Sequence, residues 1–421
     1  MSSTEKPLIS IPLDIPDVTL LEVEVIDNGA FIITVESRLE GTHCRRCGNL
    51  TTEFHQHDEW IKIRHLPILD RPVYLRLRPK RYKCLQCSDG PTTTQKLQWR
   101  EQNSPNTKAY DEYLLKRLIN STLEDVACKE AIGYEAVEGA IDRQVAAQVD
   151  WSQYERLETI GIDEIALRKG HRDFITIVTV REEGGKVGIL GVLGDKKKQT
   201  IKNFLQSIPL RLRKTIKSVC TDLYDGFIYA VKEVIPRARR VADRFHVAKA
   251  YSEGVEKLRK KEMKRLKKQL PEAEYKKLRG AMWAMRKRRV ELTQEEEEVL
   301  KQLFGHAPEL RRAYELREEL RGIFEQDLSK QEAEQEIALW EKRVEESGVK
   351  CYEKFIVTLK NWKEEITNYF VQRESSGFVE GVNNKIKVMK RRCYGIFDLK
   401  RLYQRLYLDF GGYERFCNVA T

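Results

Sequence analysis

Nowhere in its 421 residues does the chain hold an apolar run long enough to span a bilayer. Its opening residues, MSSTEKPLIS, lack the apolar core of a secretory signal. Membrane and secreted classes are therefore set aside, and a cytoplasmic protein with no membrane partner is expected. A disulfide scaffold is set aside as well. The nine cysteines are odd in number, and four of them fall in two CxxC pairs, a pattern that favours metal binding inside cells. Over about 247–372 the apolar positions keep no strict heptad and no solenoid repeat, which sets aside a continuous coiled coil and a solenoid there. Acid is in deficit: 65 Asp and Glu stand against 76 Lys and Arg, for a net charge of +11. That excess points to a polyanionic partner, nucleic acid first, although a well-solvated surface carries the same charge.

What is present changes texture along the chain. Residues 8–40 alternate apolar and polar (VTLLEVEVIDNGAFIITVES), and Asp27-Asn28-Gly29 supplies a turn, so a β-hairpin is expected. A Cys- and His-bearing segment, 43–87, has a strand-like centre, PVYLRLRPKRYKC. Residues 90–106 are polar, carry Pro91 and Pro105, and read as a linker. Residues 107–150 are helical in period. Residues 157–243 hold short β-rich runs (TIGIDEIAL, DFITIVTV, KVGILGVLG, TIKSVCTD, RRVAD), with helical stretches near 197–208 and 224–235. The first three runs predict an antiparallel meander, the others helix-linked strands. Residues 247–372 are rich in Lys, Glu, Arg and Leu and hold Trp283, Trp340 and Trp362. Pro271, Gly280, Pro308 and Gly348 interrupt them, which predicts a helical bundle. A helix over about 376–392 follows, then a break at CYGIFD and another helix.

Cys44-Arg-Arg-Cys47 and Cys84-Leu-Gln-Cys87 form a four-thiolate set suited to structural Zn(II), because each pair clamps one edge of a tetrahedron. Gly48 suits the tight turn. If one pair were incidental, His43, His55, His57 or His65 would stand in for a thiolate. Basic residues crowd this module, among them Arg45, Arg46, Arg78, Lys80 and Arg81, and make it a phosphate-contacting surface. In STLEDVACKEAIGYEAVEGAIDRQVAAQV, residues 121–149, Ser121 or Thr122 caps a helix. Gly133 is expected in a positive-φ turn, and a second helix starts near Glu135. This is the pattern of a helix-turn-helix, shared by any helical hairpin with a Gly turn. Glu135, Glu138 and Asp142 make its second helix poor at gripping DNA.

In TIGIDEIALRKG, residues 159–170, a carboxylate sits in an apolar strand, with Gly161 leaving room for a close neighbour. A buried carboxylate is costly unless paired, hydrogen-bonded or metal-bound. Asp222 ends another apolar run, TIKSVCTD. If the two strands are neighbours, Asp163 and Asp222 meet, and Mg(II) held by hard oxygens is the expected resolution. The helix at about 376–392 offers a third carboxylate. At 100° per residue Glu380, Asn384, Lys387 and Arg391 share one stripe, while Phe378, Val382, Ile386, Met389 and Cys393 lie opposite. Glu380 then serves the metal, Asn384 orients, and Lys387, Lys390 and Arg391 take DNA phosphates. In ADRFH, residues 242–246, Asp243 and His246 read as a pair that shapes the site or handles a proton, with Asp243 also able to cap the next helix.

In this order, GIDE, TDLYDGF, VADRFHV and GFVEGVNNKIKVMKRRCYG resemble the insertion-sequence DDE transposases of the ISL-three family. The resemblance covers nearly the whole chain, and E-G-x-N-N-x-I-K-x-x-K-R-x-x-Y-G is its most specific part. It implies that Asp163, Asp222 and Glu380 are the DDE triad of an RNase H-like catalytic core using Mg(II) or Mn(II). Asp243 and His246 match the family's D-x-x-H element, which Mutator-like transposases have in similar form. The CxxC…YKCxxC module matches its zinc finger, 107–150 the place of its helix-turn-helix, and 247–372 its insertion domain. The family's second-Asp motif usually continues with an aromatic pair, where this chain has Leu223-Tyr224.

The expected architecture is thus multidomain α+β. A β-rich zinc finger (1–100) and a helix-turn-helix (101–150) precede an RNase H-like core (151–246 and 373–421), which an all-helical insertion (247–372) interrupts. The expected activity is Mg-dependent cleavage and strand transfer of double-stranded DNA. The partners are the element's terminal inverted repeats and target DNA, met by a homodimer in a bacterial, nucleoid-associated setting. Trp283 is a candidate to stack on an unpaired base. A DNA-binding regulator without catalysis and an RNase H-like nuclease are the rival readings.

Overall fold

The computed structural model describes residues 10–168, 172–373, 377–396 and 398–417. The opening stretch 1–9, Ser376 and Phe397, which enter the readings of the N-terminus, the helix at 376–392 and the break after it, lie outside the described residues. The chain is a mixed α+β protein that divides into two compact units, residues 1–147 with 407–421, and residues 148–406. The segment 407–421, read from the sequence as the end of the core, groups with the N-terminal unit.

The N-terminal unit is β-rich. The hairpin is formed by β1 (Val18–Val25) and β2 (Phe31–Ser37), and Asn28 Oδ1 accepts from the Ala30 N–H in its turn. Short strands β3 (Thr42–His43), β4 (Leu50–Thr51) and β5 (Glu53–His57) follow, then β6 (Ile61–Ile68), β7 (Arg71–Leu77), β8 (Lys80–Lys83) and β9 (Thr92–Thr94). The main sheet runs β1-β2-β7-β6, and β5-β8-β9 form a second one. Val73, Leu75 and Leu77 alternate inward along β7, as a half-buried strand requires. The stretch 90–106 is not a linker. Its Thr92–Thr94 pairs with β8, and Leu97 and Trp99 bury against Ile33, Ile63 and Leu75. Their spacing is too short to show a period in sequence.

Three helices close the unit: α1 (Lys108–Leu118), α2 (Leu123–Glu130) and α3 (Tyr134–Gln144). Thr122 caps α2 through the Asp125 N–H. The residue with positive φ is Ala131 (φ 51), the C-cap of α2; Gly133 is an ordinary extended N-cap at φ −69. The turn between the helices therefore begins two residues earlier than glycine placement suggests.

The second unit is built on a mixed sheet. Its strands β10 (Thr159–Arg168), β11 (Arg172–Arg181) and β12 (Val187–Leu193) form the antiparallel meander. Helices α4 (Lys198–Ser207) and α5 (Leu210–Arg213) lead to β13 (Ser218–Thr221), and α6 (Asp225–Val234) leads to β14 (Arg239–Ala242). The sheet order is β12-β11-β10-β13-β14, with β13 parallel to both its neighbours. One face buries Ile160, Ile162, Val178 and Val219 under Leu205, Phe227 and Val231 of the connecting helices.

A long helix, α7 (Arg244–Gln269), leaves the sheet. Then come α8 (Glu272–Lys277), α9 (Ala281–Arg286), α10 (Gln294–His306), α11 (Pro308–Glu325) and α12 (Lys330–Ser347). Pro271, Gly280, Pro308 and Gly348 each stand at a helix end. Helices α13 (Glu353–Asn361), α14 (Lys363–Thr367) and α15 (Tyr369–Gln372) lead back to the sheet edge. There Arg240 of β14 pairs with Glu365 at 3.1 Å and its carbonyl accepts from Asn368. Trp340 is fully buried and donates to the Leu316 carbonyl, whereas Trp283 is 61% exposed beneath the Arg286 guanidinium. Helix α16 (Gly377–Arg392) packs on β10, and α17 (Leu399–Phe416) ends the described chain.

Candidate metal centres and catalytic site

The four cysteines converge: the sulfurs of Cys44, Cys47, Cys84 and Cys87 all lie within 4.8 Å of one another. Each pair sits in a tight turn. In the first, the Gly48 N–H donates to the Cys44 carbonyl, Gly48 has φ 74, and the Arg46 N–H points at Cys44 Sγ. In the second, the Gly90 N–H donates to the Cys87 carbonyl. Backbone N–H groups of Cys47 and Arg46 hold the Cys44 thiol down at about 6, so it is a thiolate at neutral pH. Burial and the other three sulfurs push Cys87 up to about 12, a conflict that a bound cation removes. The Cys47–Cys84 sulfur separation, 3.7 Å, matches the edge of about 3.8 Å expected for a tetrahedron with Zn–S bonds of about 2.3 Å. The set fits structural zinc. His43, His55 and His57 are outside it, and His65 is a core histidine bonded to Thr107 Oγ1 and the Leu13 carbonyl.

The second cluster follows from sheet register. Strand β10 pairs in parallel with β13 from Thr159↔Ser218 to Ile162↔Thr221, and β13 with β14 from Ser218↔Arg239 to Thr221↔Ala242. One step further along all three strands come Asp163, Asp222 and Asp243. Three carboxylates therefore stand level across three adjacent parallel strands, Asp222 and Asp243 just past the ends of β13 and β14 and Asp163 in the middle of the longer β10. Asp243 caps α7 through the Phe245 N–H, which swings His246 back over the strand ends. Its Nδ1 lies 3.0 Å from Asp222 Oδ1 and 3.1 Å from Asp243 Oδ2. A ring nitrogen facing two carboxylates carries its proton and donates. Both sequence readings of Asp243, cap and partner of His246, describe the same side chain.

Ligand atoms of Asp163, Asp222 and His246 lie within 4.8 Å of one another. Burial, and then the Asp163 charge, push Asp222 up to about 7. Burial raises Asp163 too, against the Glu164 N–H and the Asn383 amide, which favour its charged form. Burial disfavours the His246 imidazolium, but Asp243, Asp222 and Asp163 outweigh it and raise His246 above its ordinary value. Oxygens crowded at the cost of their own charge are a site for a hard divalent cation.

Asp163 is 8% exposed and Asp222 half-buried, whereas Glu380 is exposed on α16 and falls outside the tight group. Its helix is nevertheless seated on the site strand. A Cβ on Gly161 would overlap Val379 and Thr179 and touch Phe378, so only glycine allows this approach. Val382, Ile386 and Met389 are buried and Glu380, Asn384, Lys387 and Arg391 exposed, the two faces the helical period predicts.

A family model described as a transposase, that of the ISL3 DDE type, matches residues 160–406. The chain belongs to the ISL3 family of DDE transposases. The model for the zinc-finger of the IS204/IS1001/IS1096/IS1165 transposases matches residues 40–87, the segment that carries the four cysteines. The transposase for insertion sequence element IS1001 of Bordetella parapertussis is 26% identical, over 88% of this chain and 89% of the relative. The transposase for IS1557 of Mycobacterium tuberculosis is 23% identical, over 95% of this chain and 93% of its own length. Family membership makes this a DNA-acting enzyme that depends on a divalent metal. No helix among the described residues is long and apolar enough to cross a membrane.

Other residues of this transposase are placed less uniformly. Arg45, Arg46 and Arg78 are exposed, with Arg46 paired to Asp89 and Arg78 lying over the Trp60 ring. Lys80 and Arg81 turn inward, to the Ser37 carbonyl at 2.8 Å and to Thr92 Oγ1 at 2.9 Å. Lys390 donates to the Ala166 carbonyl at 2.5 Å, and burial lowers its pKa. Two neighbours of the cluster escaped sequence reasoning. Asn383, not Asn384, is buried and donates from Nδ2 to Asp163 Oδ2. The signal was its place in the apolar stripe of Val379, Val382 and Ile386. Lys196 pairs with Glu164 at 2.8 Å, which raises its pKa, and it lies over the rings of Tyr224 and Phe174.

Proposed function

We propose that this transposase binds the terminal inverted repeats of an insertion sequence and cuts and joins DNA at the Asp163–Asp222 cluster. The observation that carries the reading is the level register of those two aspartates on adjacent parallel strands, with their oxygens close enough to share an ion. The mixed sheet with its helix-linked parallel strands supports an RNase H-like core, and Glu380 on the abutting helix is the third carboxylate. Asp163 and Asp222 would hold Mg(II) or Mn(II), with Glu380 completing the set. The bound ions supply positive charge where the attacking and leaving oxygens of the phosphodiester develop negative charge. Protonated His246 balances the excess acid beside Asp222 and holds that carboxylate in place.

The zinc module, with Arg45, Arg46 and Arg78 exposed, and helices α2 and α3, in a helix-turn-helix, would hold the repeat DNA. Exposed Lys387 and Arg391 beside Glu380 suit the phosphates of the reacting strand. Trp283, exposed on α9 with Arg286 over its ring, would stack on an unpaired base. Two DNA ends handled together require a homodimer.

Labelled terminal-repeat DNA incubated with protein and Mg(II) tests the proposal. Joined products are expected. Cleavage alone would favour a nuclease, and binding alone a regulator. Asp222→Asn should bind the DNA and form no product; product at the wild-type rate would remove the cluster from catalysis.

A further inference from the structure

Helix α16 and strand β10 run in step. Two residues along a strand advance about 6.6 Å, and four along a helix about 6 Å. Gly161 meets Val379, and two and four residues further on Asp163 meets Asn383. The glycine contact therefore sets the depth and register at which the amide arrives. Asn383 is only 9% exposed, in a stripe otherwise filled by Val379, Val382, Ile386 and Met389. A leucine would suit that stripe better, since a buried amide with an unmet group costs free energy.

Its two polar ends have different fates. Nδ2 donates to Asp163 Oδ2, while Asp163 Oδ1 accepts from the Glu164 N–H at 2.7 Å. An ionised carboxylate only accepts, so the NH₂ end of the amide must face it. That leaves Oδ1 of Asn383 buried with no hydrogen-bond partner among the described residues. Such an orphan acceptor, on an amide bonded to the Asp163 carboxylate, calls for an explanation.

We propose that Asn383 is a positioning residue of the divalent-metal site: its amide N–H pins Asp163, and its Oδ1 is satisfied only when a hydrated divalent cation occupies the cluster. The inference rests on the metal-site reading of Asp163 and Asp222. Groups that orient a ligand from behind set metal affinity, and their loss typically costs about 10–100-fold.

The test uses the full-length, zinc-loaded protein and Mn(II) as probe, followed by calorimetry and by the electron paramagnetic resonance of the bound ion. Asn383→Leu keeps the volume and removes both polar ends. It is expected to fold with an unchanged or higher melting temperature and to bind terminal-repeat DNA as wild type. Its affinity for Mn(II) should fall about 10–100-fold. Asn383→Ala reads the same loss should the leucine variant fail to fold. Asp163→Asn is the reference that separates the two levels of the argument. Wild-type Mn(II) affinity in Asn383→Leu, with binding lost in Asp163→Asn, overturns the role of Asn383 alone. Wild-type affinity in Asp163→Asn overturns the metal site itself.

Discussion

The cysteine cluster and the carboxylate cluster solve one electrostatic problem by opposite routes. In both, burial and then like groups held within 4.8 Å raise the pKa of a member of the set, Cys87 to about 12 and Asp222 to about 7. Within each pair the thiols are gathered by a local turn closed by backbone N–H groups within a few residues, and only the meeting of the two pairs, 37 residues apart, is left to the β5–β8 pairing. The aspartates are gathered by sheet register across 59 and 21 residues of chain, with a helix from residue 377 onward laid against them. A locally assembled site depends on its ion to hold together. One assembled by the fold exists before the ion arrives, and its repulsion is carried by the rest of the unit. Stability should therefore respond to the two sites with opposite sign.

The largest effect is expected at the thiols. Cys84→Ser, or chelation, should take zinc from one per chain to near zero and make residues 40–87 protease-sensitive. A structural zinc in a small module contributes on the order of 10 kcal/mol. Metal analysis with limited proteolysis checks this, and Mn(II) binding at the carboxylates should be untouched. Retained zinc would break the comparison at its first limb. Asp222→Asn should do the reverse. It removes a desolvated, repelled charge, so the metal-free protein should melt at a higher temperature while cleavage falls by roughly 10³-fold, the scale of losing a main electrostatic element. A lower melting temperature would mean that Asp222 supports the fold.

Gly161→Ala sharpens the contrast without touching a ligand. The added methyl group must push Val379 and Thr179 aside, at a cost of about 1–3 kcal/mol for overpacking. Thermal melts should show that loss, and cleavage should fall although each carboxylate is intact. Wild-type cleavage would mean that the seat of α16 does not set the site.

These differences also explain what the sequence made legible. The cysteines announce themselves by spacing, because a knuckle is a local object. Asp163 and Asp222 could be paired only through two apolar runs that each end in Asp, on the condition that the strands are neighbours, and the register meets that condition. Helix ends in the bundle were readable because Pro and Gly act locally. What escaped depends on neighbours distant in sequence. Asn383 and Asn384 differ by 100° of helix; the apolar stripe turns Asn383 inward, but only the position of β10 gives it Asp163 as a partner. Lys80 and Arg81 are indistinguishable from Arg78 in sequence, yet they meet Ser37 and Thr92 in the fold. Ala131 takes the left-handed turn that Gly133 invited, because α2 ends before the glycine is reached.

The smallest effect is a matter of pH, and it is read at the carboxylate cluster. Asp222 holds its proton to about 7 in the fold, against an ordinary value near 3.8 in the unfolded chain. Between those values the folded state binds the extra proton, so metal-free stability falls as pH rises from about 4 to 7. Asp163, also raised by burial, acts in the same direction. His246, raised as well, favours the fold below its ordinary value near 6.5 and loses that contribution as pH climbs through its folded value. A bound divalent cation inverts the slope, because it needs Asp222 ionised: the melting increment from Mn(II) should grow from pH 6 to pH 8. Asp222→Asn should flatten both profiles by a few degrees. Identical profiles in wild type and Asp222→Asn would place the proton elsewhere and leave the register of the strands without electrostatic consequence.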